Sequence, residues 1–566
     1  MTASSRTVIA QSLAAGRSAM WTVIAFSFAT SVLQFVVPLY MLQIYDRVIP
    51  SRNEWTLLTL SLVAAFLLVV FAALEALRAR ILVRLGLLFD RHAAETVFEA
   101  VHHGHLQEPQ AGHGQALRDV DTCREFLTGS GLLAFCDAPW FPIFIVAAFV
   151  LHPLYGWVAL GGSAVILGLT LLTEFATRHR LRDATRANIA ATHNAQSAMR
   201  NAEVLRAMGM LHAIRGVWKR QHDEQLRHQA HASDRAAVLV SATRCARFVL
   251  QVAILGTGAF LAIHREVSPG SIVAASILVG RALQPIEILV THWKGFVAAR
   301  GALRRIHALL ALLPDNGTPR IKLPPPEGHI AFENVTINAP GGQRSILQDL
   351  SFTLSAGEVL AIVGPSAAGK STLVRAITGV WPAAAGKVRL DGYDIAQWNP
   401  DELGRHVGYL PQTIDLFAGM VGENIARFQE GDPGLVIAAA REAGCHDLIQ
   451  GLPDGYNTRI GEGGLGLSGG QRQRIGLARA LYDSPRLILL DEPNAHLDTV
   501  GEQALLDTLI ALRHRGATTV IVSHAPSTLA AADHIMLIRD GVMHGFGTAK
   551  EMLGPKSRVA GGERVS

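Results

Sequence analysis

Val359–Thr372 reads VLAIVGPSAAGKST: five apolar residues, then Gly364, Pro365, Ser366, Ala367, Ala368, Gly369, Lys370 and Ser371, then a helix-like run from Thr372, TLVRAITGV. The spacing G-x4-G-K-S is that of a strand feeding a phosphate-binding loop that opens a helix. Its glycines leave backbone N–H groups free to turn inward around a phosphate, and the positive end of the following helix favours the same anion. In such a loop Lys370 reaches the terminal phosphates and the Ser371 hydroxyl holds Mg2+. A Gly-rich strand–helix turn with no ligand would share the backbone. The apolar strand before the loop and the helix after it favour the phosphate.

The whole chain is unlike a soluble enzyme. Its 566 residues suffice for two or more domains, and 49% hydrophobic and 17% charged residues are too apolar and too charge-poor for one. The apolar residues concentrate before about residue 300, which divides the chain into a membrane half and a soluble half. The net charge of +5 is modest, and the arginines cluster beside apolar runs. That pattern points to membrane orientation and to no nucleic-acid partner. Cys123, Cys136, Cys245 and Cys445 show no C-x-x-C spacing, so neither a disulfide framework nor a zinc site is suggested. Arg17 precedes an apolar run much longer than the core of a signal peptide, so no cleavable leader is expected.

Six spans of roughly 20 apolar residues, the length that crosses a bilayer, are predicted near Trp21–Leu42, Trp55–Leu77, Leu132–Leu151, Tyr155–Phe175, Val238–Ile263 and Ser271–Val290. Short connections from Asp46, His152 and His264 alternate with two long ones, Arg78–Gly131 and Arg178–Ser233. The long ones hold most of the arginines, among them Arg78, Arg80, Arg84 and Arg91, and are therefore cytoplasmic. The soluble half then also lies in the cytoplasm, where ATP is. The long connections are apolar at helical spacing, which predicts membrane helices that continue outward and reverse near the middle of each connection. Arg244, Arg247, Arg281 and Glu287 fall inside spans and are candidates to line an aqueous path. They would equally serve by facing water or one another. His102, His103, His105 and His113 lack a supporting Cys or carboxylate pattern and read as a solvated face, not a metal centre.

Leu313–Gly328, LPDNGTPRIKLPPPEG, marks the boundary. The expected division is a short N-terminus (1–20), a membrane domain (21–310), a linker (311–328), a nucleotide-binding domain (329–554) and a tail (555–566). From Ile330 short strands alternate with helices, an α/β layered pattern. Arg486–Pro493, RLILLDEP, is an apolar strand ending in two carboxylates. Asp491 would hold Mg2+, and Glu492 would polarise an attacking water as general base. His524 in VIVSHAP would contact the γ-phosphate, and Gln412 in GYLPQ would sense Mg2+ and that water; either residue alone would be uninformative. Leu467–Arg474, LSGGQRQR, opens a second helix, where Ser468, Gly469 and Gly470 present a further set of backbone donors to an anion.

In order, GPSAAGKS, Gln412, LSGGQ, LILLDEP, NAHLD (Asn494–Asp498) and His524 resemble the ATP-binding-cassette transporters over nearly the whole chain. YDRVIPSRNEWTL, CDAPWFPIFIVAAFVLHP and LDGYDIAQWNPDELGRHVGYLPQ resemble the bacterial type I secretion transporters, protease/lipase exporter group. The resemblance implies an α-helical membrane domain of six transmembrane helices, of the ABC exporter type, followed by an α/β P-loop ATPase domain. It implies a homodimer in the inner membrane that expels unfolded proteins bearing a C-terminal signal, such as RTX-type proteases or lipases. A periplasmic membrane-fusion adaptor and an outer-membrane tunnel protein are the implied partners, and ATP and Mg2+ the cofactors. By the same resemblance Gly364–Thr372, Gln412 and Asp491 serve nucleotide and Mg2+, with Ser371, Gln412 and Asp491 on the metal. Glu492, His524 and Gln412 serve hydrolysis, Ser468, Gly470 and Gln471 face the γ-phosphate of a partner subunit, and Gly469 and Asp498 are among the nucleotide-binding residues. Gly461–Gly464 matches the stretch that touches the coupling turns of exporters.

One departure stands out: Ala339 occupies the position where relatives often place a tyrosine against adenine. The segment before the first span is also short for the peptidase-like domain that some relatives carry, so leader cleavage is not expected. An exporter of lipid or small hydrophobic compounds on the same fold, and a gated channel or regulatory ATP-binding module, are the alternative readings. The intact Glu492 and His524 weigh against a module that does not hydrolyse ATP.

Overall fold

The computed structural model describes residues 16–108, 114–313, 323–342, 344–495 and 497–553. Most of the expected N-terminal segment, His113, residues 314–322 of the linker, His496 and the tail from 554 lie outside them. The chain divides into two compact units near residue 315.

The first unit is helical throughout. Among the described residues, six helical stretches are long and apolar enough to cross a membrane: Arg17–Ser51, Glu54–Gln107, Ser130–Leu151, Pro153–Arg200, Leu211–Ile263 and Pro269–Trp293. All six expected spans fall within them. The first stretch comprises α1 (Arg17–Leu33), α2 (Val36–Gln43) and a π-helical turn, Ile44–Val48. The next helix, α3 (Glu54–Gln107), has 54 residues. At 1.5 Å per residue it is about 80 Å long, well over twice the ~30 Å hydrocarbon core of a bilayer. After α4 (Gln115–Thr128) the third span is broken. It consists of α5 (Ser130–Asp137), a 3-10 turn at Ala138–Trp140 and α6 (Phe141–Leu151). The sequence suggested a single interrupted span; Pro139 and Pro142 have no N–H to donate, and the helical ladder breaks beside them.

Two more long helices, α7 (Pro153–Arg200) and α8 (Leu211–Ile263), pack along one another. The chain reverses between them over Asn201–Met210, helped by Gly209 at φ +65°. The reversal lies in the middle of the second long connection, where the sequence places it. The last helix of the unit is α9 (Pro269–Leu310).

Polar groups tie these helices together at separate levels. Asp46, in the π-helical turn, accepts from the Gly270 N–H at 2.9 Å and from the Ser268 hydroxyl at 2.5 Å. A Cβ on Gly270 would lie 2.5 Å from the Asp46 carboxylate, so a larger residue there would displace that side chain. Arg78, expected among the cytoplasmic arginines, is buried instead. Its guanidinium meets Asp137 at 2.6 Å, the hydroxyls of Ser27 and Thr30 at 3.2 and 3.3 Å, and Glu75 at 3.3 Å. The cause is helix phase: α3 continues past the apolar window without a break and turns Arg78 towards α1 and α5. Nearer the cytoplasmic end, buried Asp119 receives a two-pronged bond from Arg305, both contacts at 2.7 Å. Of the four charges singled out inside spans, Arg247 pairs with Glu287 at 3.3 Å, Arg281 donates to Gln284 at 3.2 Å, and Arg244 is exposed. Among the described residues, no group of three or more His, Cys, Asp or Glu is placed to hold a metal.

The second unit is built on two main sheets. Strands β1 (Ile330–Asn338), β2 (Ser345–Leu354), β4 (Ala385–Leu390) and β5 (Tyr393–Asp394) form an antiparallel sheet ordered β2-β1-β4-β5. The larger sheet contains β3 (Val359–Val363), β6 (Val407–Leu410), β9 (Leu487–Asp491), β10 (Thr518–Val522), β11 (His534–Arg539) and β12 (Val542–Thr548). Its order is β12-β11-β3-β10-β9-β6, and only β12 runs antiparallel. The remaining pair, β7 (Gly419–Met420) with β8 (Arg459–Ile460), stands apart. Every residue of β3, β9 and β10 is buried, as expected of strands covered on both faces. One apolar cluster, including Leu410, Ile475, Leu477 and Ile521, lies on one side of the sheet. The other, including Leu360, Leu373, Leu489 and Met536, lies on the opposite side.

Candidate functional site

Parallel register aligns the carboxyl ends of four strands. Ile362 of β3 pairs with Val522 of β10, Val522 with Asp491 of β9, and Leu490 with Leu410 of β6. The loops that leave these ends therefore meet in one crevice, the usual ligand position in an open α/β sheet. Four motifs spread from residue 364 to residue 524 converge there.

The phosphate loop leaves β3 and enters α10 (Lys370–Ile377), with Gly369 as N-cap at φ +100°. A side chain at Gly369 would also run into Leu347, 2.5 Å away, and one at Gly364 would lie 2.0 Å from the Ile538 carbonyl. Ala367, at φ +64°, takes a left-handed conformation without being glycine. Lys370 is almost wholly buried and folds back into its own loop. Its ammonium donates to the carbonyls of Gly364 at 2.6 Å and Pro365 at 3.1 Å, and sits 3.2 Å from His524 Nε2. The loop thus offers a desolvated cation within a ring of backbone, suited to a polyanion. Thr372 is buried in the first turn of α10, beside Ser371.

At the neighbouring strand end, Asp491 is 1% exposed and both carboxylate oxygens lack a hydrogen-bond partner. Burial pushes its carboxyl above the usual range and the Glu492 charge adds to the effect. The Ser371 hydroxyl and the Arg375 and Lys370 charges oppose it. A buried carboxylate with no partner is costly unless a cation or proton compensates it. With Ser371 alongside, the donor set is two hard oxygens, the kind that Mg2+ takes together with phosphate oxygens and water. The residues present fit the metal that the sequence implies.

Glu492 follows at φ +51°, a strained position for a residue with a side chain. Its N–H still bonds the Val522 carbonyl at 3.0 Å, so the turn begins only after the ladder ends. The Glu492 carboxylate accepts from Gln412 Nε2 at 2.9 Å. Two residues 80 positions apart in the chain thereby share a hydrogen bond, because β6 and β9 are neighbours.

The LSGGQ stretch is not part of this crevice. Ser468 caps α11 (Gly469–Leu481): its hydroxyl accepts from the Gln471 N–H at 3.2 Å, and the Gln471 side chain accepts from the Ser468 N–H at 2.8 Å. This capping box secures two of the orphan donors and leaves Gly469 and Gly470 as the free backbone of the first turn. Among the described residues, no hydrogen bond or ion pair joins 468–471 to the phosphate loop. Asp498, expected to face nucleotide, is here the N-cap of α12 (Thr499–His514), accepting from the Gly501 N–H at 2.8 Å, with Arg474 at 3.9 Å.

Three supporting residues escaped the sequence reading. Gln473 is buried and donates to the Pro493 carbonyl at 2.9 Å, tethering α11 to the segment that carries Glu492. It sits on the helical stripe of Gly476, Leu477 and Ala480, and a polar residue on a buried stripe was the signal that could have found it. Buried Ser523, beside His524, lies 3.4 Å from the Asn494 amide oxygen. Arg427, at φ +57°, sends its guanidinium to three carbonyls, Gly404 at 2.6 Å and Arg479 and Ala480 at 3.1 Å each. Two of these are last-turn carbonyls of α11, which have no partner within the helix. Burial lowers the Arg427 pKa, and the Arg479 charge lowers it further. Ala339 sits at the tip of the β1–β2 hairpin, bonded through its N–H to the Arg344 carbonyl at 2.9 Å.

The family descriptions "ABC transporter transmembrane region" and "ABC transporter" match residues 20–284 and 347–495 respectively. The type I secretion system ATP-binding protein PrsD of Rhizobium meliloti is 42% identical over 93% of this chain and 90% of its own length. The leukotoxin export ATP-binding protein LtxB of Aggregatibacter actinomycetemcomitans is 30% identical over 93% of this chain and 75% of its own. Among solved structures, a bacterial Atm1-family ABC exporter with ATP bound matches at a TM-score of 0.83 with 24% identity, covering 97% of this chain and 98% of that one. At that identity the match bears on fold alone.

Proposed function

Since the chain belongs to the ABC transporters of type I secretion, we propose that it is the inner-membrane ATPase that drives an unfolded protein with a C-terminal signal out of the cytoplasm. The observation that carries the enzymatic part is the convergence of Lys370, Asp491, Glu492, Gln412 and His524 at adjacent strand ends. The relatives named for secretion and leukotoxin export support a protein cargo.

Lys370 exchanges its loop carbonyls for phosphate oxygens when ATP enters. Ser371 and Asp491 would hold Mg2+, which would neutralise phosphate charge. Glu492 accepts a proton from the attacking water, and Gln412, already bonded to that carboxylate, keeps it aimed at the crevice. His524, next to the lysine, donates to the γ-phosphate from the adjacent end of β10. The separation of Ser468–Gln471 from the phosphate loop supports a homodimer. Its free Gly469 and Gly470 N–H groups form an anion site with no phosphate of its own subunit, so each completes the site of the other. An adaptor in the periplasm and a tunnel protein in the outer membrane complete the path, and the cargo is of the RTX-protease or lipase kind.

Membranes carrying a Glu492→Gln variant test this reading. The variant should retain ATP, lose hydrolysis by about 100-fold or more, accumulate as a closed dimer, and retain a secreted protein with an adaptor on purification. Wild-type turnover in the variant would refute the role of Glu492. An arrested dimer that holds lipid or a small hydrophobic compound, with no protein, would refute the cargo.

A further inference from the structure

A groove of about 230 Å3 lies between the start of α1 and the stretch of α3 just beyond its apolar window. Gly16 and Ala19 form one wall. Leu77, Ile81, Leu85 and Leu88 form the floor, and Arg80 and Arg84 the rim. Both residues on the α1 side, the N-cap Gly16 and Ala19, are small. On α3 the apolar residues recur at Leu77, Ile81, Leu85 and Leu88 and therefore share one face, with the arginines four residues apart along its edge.

The arginines of this helical unit behave in two ways. Arg78 pairs with Asp137 and Glu75, Arg124 with Asp90 and Asp121, and Arg305 with Asp119. Arg80 and Arg84 are exposed and have no carboxylate or hydrogen-bond partner among the described residues. A ligand for this place must therefore bring an anion to two guanidiniums and an apolar body to the leucine–isoleucine floor. The level is that of the cytoplasmic leaflet: α3 leaves its apolar window at Leu77, and the arginine-rich side of the spans is the cytoplasmic one. Basic pockets between helices on that side suit acidic lipid headgroups.

We propose that this groove is a binding site for one anionic phospholipid of the inner leaflet, its phosphate on Arg80 and Arg84 and an acyl chain along Leu77, Ile81 and Leu85. The site is formed by residues of the first and second helical stretches. It rests on the membrane placement of those spans and not on the identity of the cargo.

The test is native mass spectrometry of the full chain released from bilayer discs that contain phosphatidylglycerol and phosphatidylcholine in equal amounts. Phosphatidylglycerol should be retained in preference. The Arg80→Gln/Arg84→Gln variant should lose that preference about 30-fold, at roughly fivefold per guanidinium. Arg80→Lys/Arg84→Lys should keep most of it. Ile81→Trp, which fills the floor and spares both arginines, should lower retention of both lipids. Equal retention of the two lipids by the wild type overturns the proposal, as does undiminished preference in the double glutamine variant. Displacement of the lipid by inorganic phosphate alone would show a plain anion site with no use for the apolar floor, and would also overturn it. So would retention that appears only after residues 2–15 are removed, which would mean that the chain's own N-terminal segment fills the groove. An arrested Glu492→Gln dimer that holds no secreted protein, with phosphatidylglycerol retention at this groove intact, would refute the proposed cargo and support this site.

Discussion

Removing the Asp137 carboxylate isolates a cation in the membrane unit, and the size of the effect can be worked from its surroundings. The Arg78 side chain is 5% exposed and Asp137 19%, at 2.6 Å. Breaking a buried pair by deleting one partner costs about 3–5 kcal/mol, because the other charge is left without compensation. Here Glu75 remains 3.3 Å from Arg78, but it is half exposed and screened, so it returns only part of that cost. The Ser27 and Thr30 hydroxyls stay in place and contribute oxygens without charge. Asp137→Ala should therefore destabilise the unit by about 2–4 kcal/mol. At 2–4 °C per kcal/mol, the melting midpoint should fall by roughly 4–16 °C. The Arg78→Met/Asp137→Leu double variant removes both charges and keeps apolar volume, and should recover to within about 1 kcal/mol of wild type. The assay is a thermal melt of the detergent-purified chain followed through tryptophan, with wild type, Arg78→Met, Asp137→Leu and the double variant as the four corners of the cycle and Asp137→Ala alongside, all at one scan rate. If the double variant is as unstable as the two single variants summed, no coupling exists and the pair does not hold α1, α3 and α5 together. If Asp137→Ala melts with the wild type, Arg78 is solvated and the burial argument fails.

Other consequences are more local. Asp491→Asn should abolish ATP turnover yet raise the melting point of the nucleotide-free chain at neutral pH. Burial holds the folded carboxyl pKa above its unfolded value. That contribution favours folding below the unfolded pKa and is lost as pH rises through the raised folded one. The advantage of the variant should therefore vanish near about pH 4, and a pH series of melts checks it. Arg427→Ala strips three charge-assisted bonds from carbonyls and should cost about 2–4 kcal/mol, since such bonds contribute 1.5–3 kcal/mol each without adding fully. Because two of those carbonyls end the helix that begins at Ser468, kcat should fall more than the KM for ATP rises; steady-state kinetics over a range of ATP separates the two. Ala339→Tyr should tighten ATP binding by about 1–3 kcal/mol if the hairpin tip faces adenine, the usual size of a base-stacking contribution. Titration with a fluorescent ATP analogue reads that change, and unchanged affinity would place the base elsewhere.

What the sequence determined by itself is whatever is encoded in contiguous residues. Gly364–Ser371 specifies its loop because each glycine answers a local demand: φ +100° at Gly369 and the approach of the Ile538 carbonyl at Gly364. LILLD reads as a buried strand and LSGGQ as a helix start, and both are so. The spans read correctly because the hydrophobic requirement of a bilayer is a property of composition over some twenty residues, and the helices that extend them keep the same period. Tertiary structure decided the pairings. Gln412 meets Glu492 only because β6 lies next to β9, an order that no local pattern carries. Arg427 finds carbonyls 23, 52 and 53 residues away. Arg78 looked like one more cytoplasmic arginine, and became a buried partner of Asp137 through the phase of an unbroken helix and the break at Asp137 in its neighbour. Periodicity assigns a residue to a face of its own helix. Which partner waits on that face depends on how separate elements pack, and a single sequence records only one side of that contact.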